Sequence, residues 1–254
     1  MENNNISGGR YSENIEEVAA RTMALFYLFD RSGSMSAKGK IGSVNYAMRD
    51  IPKIIMDIAD NAPNANIVVA AATFSTDVEW ITPKPQTPEE FMNNWHDITA
   101  EGLTSLGAAL KSLNEKMSRK AFLGDNPMGY LAPGVIILSD GEPTDDWEKP
   151  LAELKKNNWF KSAIKIAFAV GDDANKQVLA EICGSSEAVI NIDDDPEKIR
   201  SYIKFVTAVV SKTGTTSQAA LGETPQEQVI NQIQNINDDT PFVVDIPNID
   251  DDQW

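Results

Sequence analysis

Apolar and polar positions alternate along the chain in two different periods. Continuous apolar runs, which are typical of strands buried on both faces, occupy residues 23–29, 66–74, 134–139, 164–170 and 188–192. A shorter run at residues 78–81 predicts one more strand. Apolar residues three or four positions apart, the spacing of helices, occupy residues 44–58, 106–117, 145–156, 175–183 and 196–210. This alternation predicts an α/β fold with a mostly parallel central sheet and helices on both faces.

Three local signals refine these helices. Pro52 falls inside the first helical segment and predicts a kink there. Asp145 and Glu148 have the spacing of a capping box, so the helix after the fourth strand is predicted to begin at Asp145. The acidic run before Pro196 predicts the start of the last long helix.

The composition changes at both ends of the alternating region. Residues 1–20 are polar, and residues 213–218 have the composition of a linker. Residues 226–236 can form a weak amphipathic helix. The predicted organisation is an N-terminal segment, one domain, and a linker with an acidic C-terminal tail, over residues 1–20, 21–212 and 213–254.

Acidic residues outnumber basic ones, and the excess is uneven. The 254 residues include 38 Asp and Glu against 22 Lys and Arg, a net charge of -16. Residues 213–254 contain eight of the acids and no Lys or Arg, so half of the net charge lies there. Nucleic acids and anionic membranes attract basic surfaces. We therefore expect neither as a ligand of this protein.

The cellular compartment is indicated by the cysteine content and by the N-terminus. Cys183 is the only cysteine, so no intramolecular disulfide can form, which favours a reducing compartment. The first residues lack the apolar stretch of a secretory signal. No run of about 18 apolar residues predicts a membrane span. We expect a cytoplasmic protein.

Oxygen-bearing side chains follow two of the predicted strands. Asp30, Ser32 and Ser34 come directly after the first strand, and Asp140 follows the strand at residues 134–139. Thr104 lies in a polar loop before the helix that starts near residue 106. Ligands bind above the carboxyl ends of strands in such sheets. Carboxylates and hydroxyls are hard ligands that suit Mg²⁺ or Mn²⁺, and they predict a metal site with one open position for an acidic group from another molecule.

This pattern resembles the metal-ion-dependent adhesion site (MIDAS) of von Willebrand factor A domains. The resemblance extends over about residues 20–212 and implies a three-layer Rossmann-like fold, a protein-binding role, and a bound Mg²⁺. The implied ligands are Asp30, Ser32, Ser34, Thr104 and Asp140. Residues 102–110 and 138–147 resemble the bacterial TerY-type branch, which is linked to tellurite resistance and stress response. That branch implies a kinase or a PP2C-type phosphatase as a partner.

Several residues outside the metal set are candidates for partner binding. Arg31 brings a positive charge close to the site, which favours an acidic partner, and Glu142 lies at the rim or acts only in helix capping. In the tail, the apolar candidates are Phe242, Ile246 and Trp254. They predict that the tail docks on its own domain, on a second copy or on a partner, with a disordered, solvated tail as the alternative.

Catalysis is the alternative to binding. A Mg²⁺-dependent hydrolase or phosphotransferase would use Asp30 or Asp140. The sequence lacks the glycine-rich phosphate-binding motifs, and Ser32 stands where an aspartyl phosphotransferase has its second acid. No nucleophile and base pair is evident, and His96, the only histidine, has no such partner. We therefore expect a binding protein and no enzyme.

Overall fold

The computed structural model of the chain describes residues 20–124, 129–216 and 222–234. Its sheet has six strands in the order β3-β2-β1-β4-β5-β6. The strands are β1 Arg21–Asp30, β2 Ala65–Phe74, β3 Val78–Trp80, β4 Gly134–Ser139, β5 Ile164–Val170 and β6 Val189–Ile192. Every neighbouring pair is parallel except β2 and β3, which are antiparallel. The predicted, mostly parallel α/β sheet is confirmed.

Helices connect the strands and cover both faces of the sheet. The helices are α1 Lys40–Asp60, α2 Pro88–Asn94, α3 Leu106–Lys116, α4 Glu148–Leu154, α5 Asn158–Ser162, α6 Lys176–Cys183, α7 Pro196–Thr215 and α8 Pro225–Gln234. Short 3-10 helices span Gly33–Gly39 and Ser186–Ala188. The β1-to-β2 and β4-to-β5 connections move across the sheet in opposite directions. Because such crossovers are right-handed, their helices lie on opposite faces, which makes three layers.

Fully buried strands account for the apolar runs in the sequence. Every residue from Met23 to Phe29 in β1 is at most 1% exposed. The Tyr27 hydroxyl is buried among them, and it forms a hydrogen bond of 2.9 Å with Thr207 Oγ1 on α7. This bond provides a partner for a polar group that would be costly to bury alone.

α1 continues through Pro52, which is buried inside it. Three other helices differ from the sequence prediction. α4 begins at Glu148, three residues after the predicted start, because Asp145 binds a different helix. α2 is absent from the prediction, although its capping box of Thr87 and Glu90 is present in the sequence and in the structure. α5 is also absent from the prediction, and its five residues are too few for a periodic pattern.

The segment after Lys212 adds to the folded body. α7 continues to Thr215, into the stretch whose composition predicts a linker. α8 forms where an amphipathic helix is predicted, and it buries Val229, Ile230 and Ile233. The side chain of Gln226 pairs with both backbone groups of Lys165 at the start of β5, over 2.7 and 2.9 Å. The predicted N-terminal segment up to residue 19 and the tail beyond residue 234 lie outside the described residues.

Two smaller expectations concern Cys183 and membrane spans. Cys183 is 3% exposed at the end of α6, and burial raises the pKa of its thiol to about 12, so it is a packed apolar residue. Within the described ranges, none of the helices is long and apolar enough to cross a bilayer.

Candidate metal centre

The candidate site lies at the carboxyl edge of the sheet, above its two central strands. β1 ends at Asp30, and the parallel neighbour β4 ends at Ser139, one residue before Asp140. The loop before α3 reaches the same place, because the amide of Gly33 donates to the carbonyl of Gly102 over 3.1 Å. The three segments that were predicted to supply ligands therefore meet at one edge.

Asp30 is a buried carboxylate without a counter-charge. It is 0% exposed, and no Lys or Arg in the described part of the chain forms an ion pair with it. Its Oδ1 accepts from the Ser32 amide at 2.8 Å, and its Oδ2 accepts from Ser139 Oγ at 2.7 Å. Burial raises the pKa of Asp30, and these hydrogen bonds oppose the rise only in part. Because an unpaired buried charge is costly, this position favours a bound cation.

Two serine hydroxyls and one carboxylate oxygen form a tight group beside Asp30. Ser32 Oγ and Ser34 Oγ are 3.0 Å apart, and Ser34 Oγ donates to Asp140 Oδ1 over 2.7 Å. Neighbouring ligands of an octahedral Mg²⁺ are about 2.9 Å apart, since each lies about 2.0–2.1 Å from the metal. These hydrogen-bonded oxygens are therefore close enough to one another to serve as neighbouring ligands of one such cation.

Thr104 faces the same space from the loop before α3. A Cβ built on Gly141 would lie 3.6 Å from Thr104 Oγ1 and 3.9 Å from Ser34 Oγ, so both hydroxyls border that glycine. The backbone of Thr104 is held in place by Thr144, whose amide donates to the Thr104 carbonyl over 2.9 Å. The structure thus brings together all five residues of the predicted metal set. In the described residues, no group of three or more His, Cys, Asp or Glu side chains could hold a metal ion, and the candidate set itself has only two carboxylates.

Lys40 is a residue of this site that the sequence analysis missed. Its side chain is 8% exposed, and its Nζ donates to Asp140 Oδ2 over 2.8 Å and lies 3.0 Å from Asp194 Oδ1. Burial lowers the pKa of Lys40, but its bonds to Asp140 and Asp194 outweigh burial and leave that pKa raised. The sequence contains no signal for this contact, because the predicted helix starts at residue 44 and Asp140 lies 100 positions away.

The contact between Lys40 and Asp194 requires a glycine beside it. Gly171 follows β5 with a φ of +80°, and a Cβ at this position would lie 2.6 Å from Asp194 Oδ1 and 3.3 Å from Lys40 Nζ. Lys38 forms a second ion pair with Asp194, at 2.6 Å, but its side chain is 69% exposed. Asp194 therefore sits between one buried and one exposed lysine.

The predicted partner-binding residues are placed at the rim where the structure describes them. The Arg31 side chain is 12% exposed and bonds Glu101 over 2.7 Å, with Asp77 at 3.5 Å. Glu142 is exposed and accepts a hydrogen bond from Asn175 at 2.7 Å, so it does not cap a helix. The remaining candidates lie outside the described residues, and they are Phe242, Ile246 and Trp254.

Asp145 caps a helix, but not the helix that the sequence predicts. Its two carboxylate oxygens accept from the amides of Gly107 and Ala108 at 2.9 Å each, in the first turn of α3. The predicted capping box with Glu148 is therefore wrong. Asp145 instead connects the loop that contains Asp140 to α3, the helix that follows Thr104. This connection fixes the positions of Asp140 and Thr104 relative to each other.

Replacing Asp145 by alanine is expected to lower the free energy of unfolding by about 1–2 kcal/mol, because two helix amides lose their acceptor. Urea unfolding of the purified chain measures this. Asp146→Ala is the matched control, since Asp146 makes only one long contact of 3.5 Å with the Lys149 amide. If both variants unfold at the same urea concentration as the unmodified chain, Asp145 has no capping role.

One protein family matches most of the folded part of the chain. The sequence model of the von Willebrand factor type A domain matches residues 25–204. No curated protein matches the sequence.

Solved structures of similar fold agree with that match. Proximal thread matrix protein 1 from the mussel byssus has 20% identity and a TM-score of 0.59, with 76% of this chain and 49% of that chain covered. Another structure of that protein, described with a zinc-occupied MIDAS motif, has 18% identity and a TM-score of 0.55, with 77% and 47% covered. A von Willebrand factor type A structure from Catenulispora acidiphila has 17% identity and a TM-score of 0.58, with 76% and 43% covered. The chain spans less than half the length of these relatives, and similarity at this level shows the fold.

Proposed function

Because the chain belongs to the von Willebrand factor type A domain family, we propose that it binds a protein partner through a divalent cation. The cation is Mg²⁺ or Mn²⁺, and its ligands are Asp30, Ser32, Ser34, Thr104 and Asp140. The observation that carries this proposal is the buried carboxylate of Asp30, which has no counter-charge and lies beside two serine hydroxyls and a second carboxylate that are close enough to bind one cation.

The donor set indicates which metal the site takes. The mussel protein of similar fold is described with zinc in its MIDAS motif. In this chain the donors are hydroxyl and carboxylate oxygens, which favour Mg²⁺ or Mn²⁺ over softer metals that prefer nitrogen and sulfur. When bound, the cation attracts an anionic group of the partner at its open position. Ser32 and Ser34 would bind the cation, and Asp30 would supply negative charge beside it.

The charge around the site defines the partner further. Exposed acids on the loops at this edge of the sheet are Asp77, Glu101, Glu142, Asp172, Asp173 and Asp193. Asp77 and Glu101 pair with Arg31, and Asp193 pairs with Lys198. The acids left without an ion pair in the described residues, Glu142, Asp172 and Asp173, repel a purely acidic surface. We therefore propose a partner whose single Asp or Glu reaches the metal and whose neighbouring Lys or Arg side chains meet the acidic rim.

The exposed acids around the site also affect where the C-terminal tail can bind. Residues 235–254 contain six acids and no base, so the acidic rim disfavours their entry into the metal site. We propose that the tail, through Phe242, Ile246 and Trp254, docks away from this edge, on its own domain, on a second copy or on the partner. Its apolar residues supply the contact and its acids keep it soluble.

A binding role fits the side chains better than catalysis does. Both oxygens of Asp30 and both oxygens of Asp140 accept hydrogen bonds from neighbouring groups. Both carboxylates thus hold neighbouring groups, and among the described residues no nucleophile with a paired base stands beside them, which supports binding over catalysis. On the resemblance of residues 102–110 and 138–147 to TerY-type proteins, we propose a cytoplasmic stress-response role with a kinase or a PP2C-type phosphatase as the partner.

Affinity capture from the cytosol of the source cell, with the full chain as bait, tests this proposal. We expect specific proteins to be retained in MgCl₂ and released by EDTA, and Asp30→Ala to retain at least about tenfold less of them because the cation is lost. Asp60→Asn is the matched control, because it removes an acid at the C-terminal end of α1, remote from the site. Retention that is equal in EDTA and for Asp30→Ala would contradict a metal-bridged contact.

A further inference from the structure

Lys40 places a fixed positive charge inside the candidate metal site. Its Nζ is 2.8 Å from Asp140 Oδ2 and 3.0 Å from Asp194 Oδ1, and its side chain is 8% exposed. Asp140 is fully buried, so this ion pair is shielded from solvent and from screening by salt. Lys38, two residues earlier, is exposed and contacts only Asp194 among the acids near the site.

The ammonium group of Lys40 and a divalent cation share the same carboxylate. Asp140 Oδ2 is engaged by Lys40, and Oδ1 is engaged by Ser34, itself a member of the metal set. A cation bound by Ser34 and Asp140 therefore lies close to a like charge in a buried environment, where repulsion is stronger than in water. Asp30, by contrast, has no such competitor among the described residues.

We infer that Lys40 is a built-in competitor that holds the affinity of the site for divalent cations low. This inference rests on the proposed metal site. The formal charges show its consequence. Asp30 and Asp140 together bear two negative charges and Lys40 removes one, while Asp194 and Lys38 cancel each other. A bound divalent cation then leaves the site with one excess positive charge, which a single carboxylate of a partner neutralises. The cation and the partner's carboxylate therefore bind cooperatively.

Calorimetric titration of the full chain with MnCl₂ measures the affinity for Mn²⁺ and tests whether Lys40 lowers it. Lys40→Met removes the charge and keeps much of the side-chain volume, and Lys40→Gln removes the charge but keeps a donor for Asp140. We expect both variants to bind Mn²⁺ about tenfold more tightly than the unmodified chain, a difference of about 1.4 kcal/mol. Lys38→Met is the matched control, and we expect its affinity to change less than about twofold because Lys38 is exposed and screened.

The outcomes separate this inference from the metal site itself. One outcome is that the unmodified chain binds Mn²⁺ and both Lys40→Met and Lys40→Gln bind it with unchanged or lower affinity. Lys40 is then a positioning residue for Asp140, and the inference that it competes with the cation is wrong. If neither the unmodified chain nor either variant binds Mn²⁺, the proposed metal site is wrong as well. Thermal unfolding in EDTA shows whether each variant is folded. If Lys40→Met is not folded, the Mn²⁺ affinity of Lys40→Gln alone tests the inference.

Sodium acetate serves as a probe for the partner's carboxylate. Against sodium chloride at equal ionic strength, acetate is expected to tighten Mn²⁺ binding to the unmodified chain and to have a smaller effect on Lys40→Met. Equal effects on the two proteins would contradict the cooperative role of Lys40.

Discussion

Replacing Asp30 by asparagine is expected to abolish stabilisation by divalent cations while leaving the metal-free protein at least as stable as before. The carboxylate is buried without a counter-charge, and burial raises its pKa, so its ionised form costs stability when no cation is present. Asparagine has nearly the same shape and removes the charge. At a Mg²⁺ concentration about 100 times the dissociation constant, the unmodified chain gains about 2.7 kcal/mol of unfolding free energy. The variant is expected to gain none.

Urea unfolding in MgCl₂ and in EDTA measures both parts of this expectation. Asp60→Asn is again the control, and it is expected to keep the full gain in MgCl₂. A gain for Asp30→Asn equal to that of the unmodified chain would show that the cation binds elsewhere. A large loss of stability for Asp30→Asn in EDTA would show that the charge of Asp30 is compensated inside the fold.

Replacing Gly107 by alanine is expected to destabilise the protein by about 3 kcal/mol or more. Gly107 lies in the first turn of α3, against the loop that follows Asp140. An added Cβ would lie 2.1 Å from the carbonyl oxygen of Asp146 and 2.8 Å from its carbonyl carbon. Because these are backbone atoms, the loop itself has to move. Such a shift breaks the Asp145 cap and displaces Asp140, so we also expect weaker metal binding.

Gly42→Ala is the matched control for this substitution. Gly42 is also helical, in α1, but a Cβ at its position has no atom within 4 Å. Alanine there is expected to leave stability unchanged or to raise it by up to about 1 kcal/mol, because it favours the helix. Equal unfolding free energies for Gly107→Ala and Gly42→Ala would show that α3 does not press on the loop after β4.

The strands, and the meeting of the candidate ligands at one edge of the sheet, were predictable from the sequence because each depends on local order. A strand buried on both faces has to be apolar at every position, so residues 23–29 and 134–139 are recognisable as strands without knowledge of their neighbours. Asp30 and Asp140 follow such strands directly. Parallel strands bring their carboxyl ends to one edge, so the two acids meet there.

The residues that escaped prediction depend on contacts between distant segments. Lys40 and Asp140 are separated by 100 positions, and Asp194 lies on a third loop, so no spacing in the sequence relates them. Asp145 has the spacing of a capping box for α4, but the close packing at Gly107 directs it to α3. Tertiary packing decides between such alternatives, and local sequence does not.

Anomalous diffraction from crystals of the full chain grown with MnCl₂ tests the central claim most directly. The account predicts a strong manganese peak in bonding contact with Ser32 Oγ and Ser34 Oγ, bordered by Thr104, Asp30 and Asp140, and no such peak for Asp30→Asn. A manganese peak at another place, such as the acids at Asp193–Asp195, or no peak beside the two serines, would contradict it.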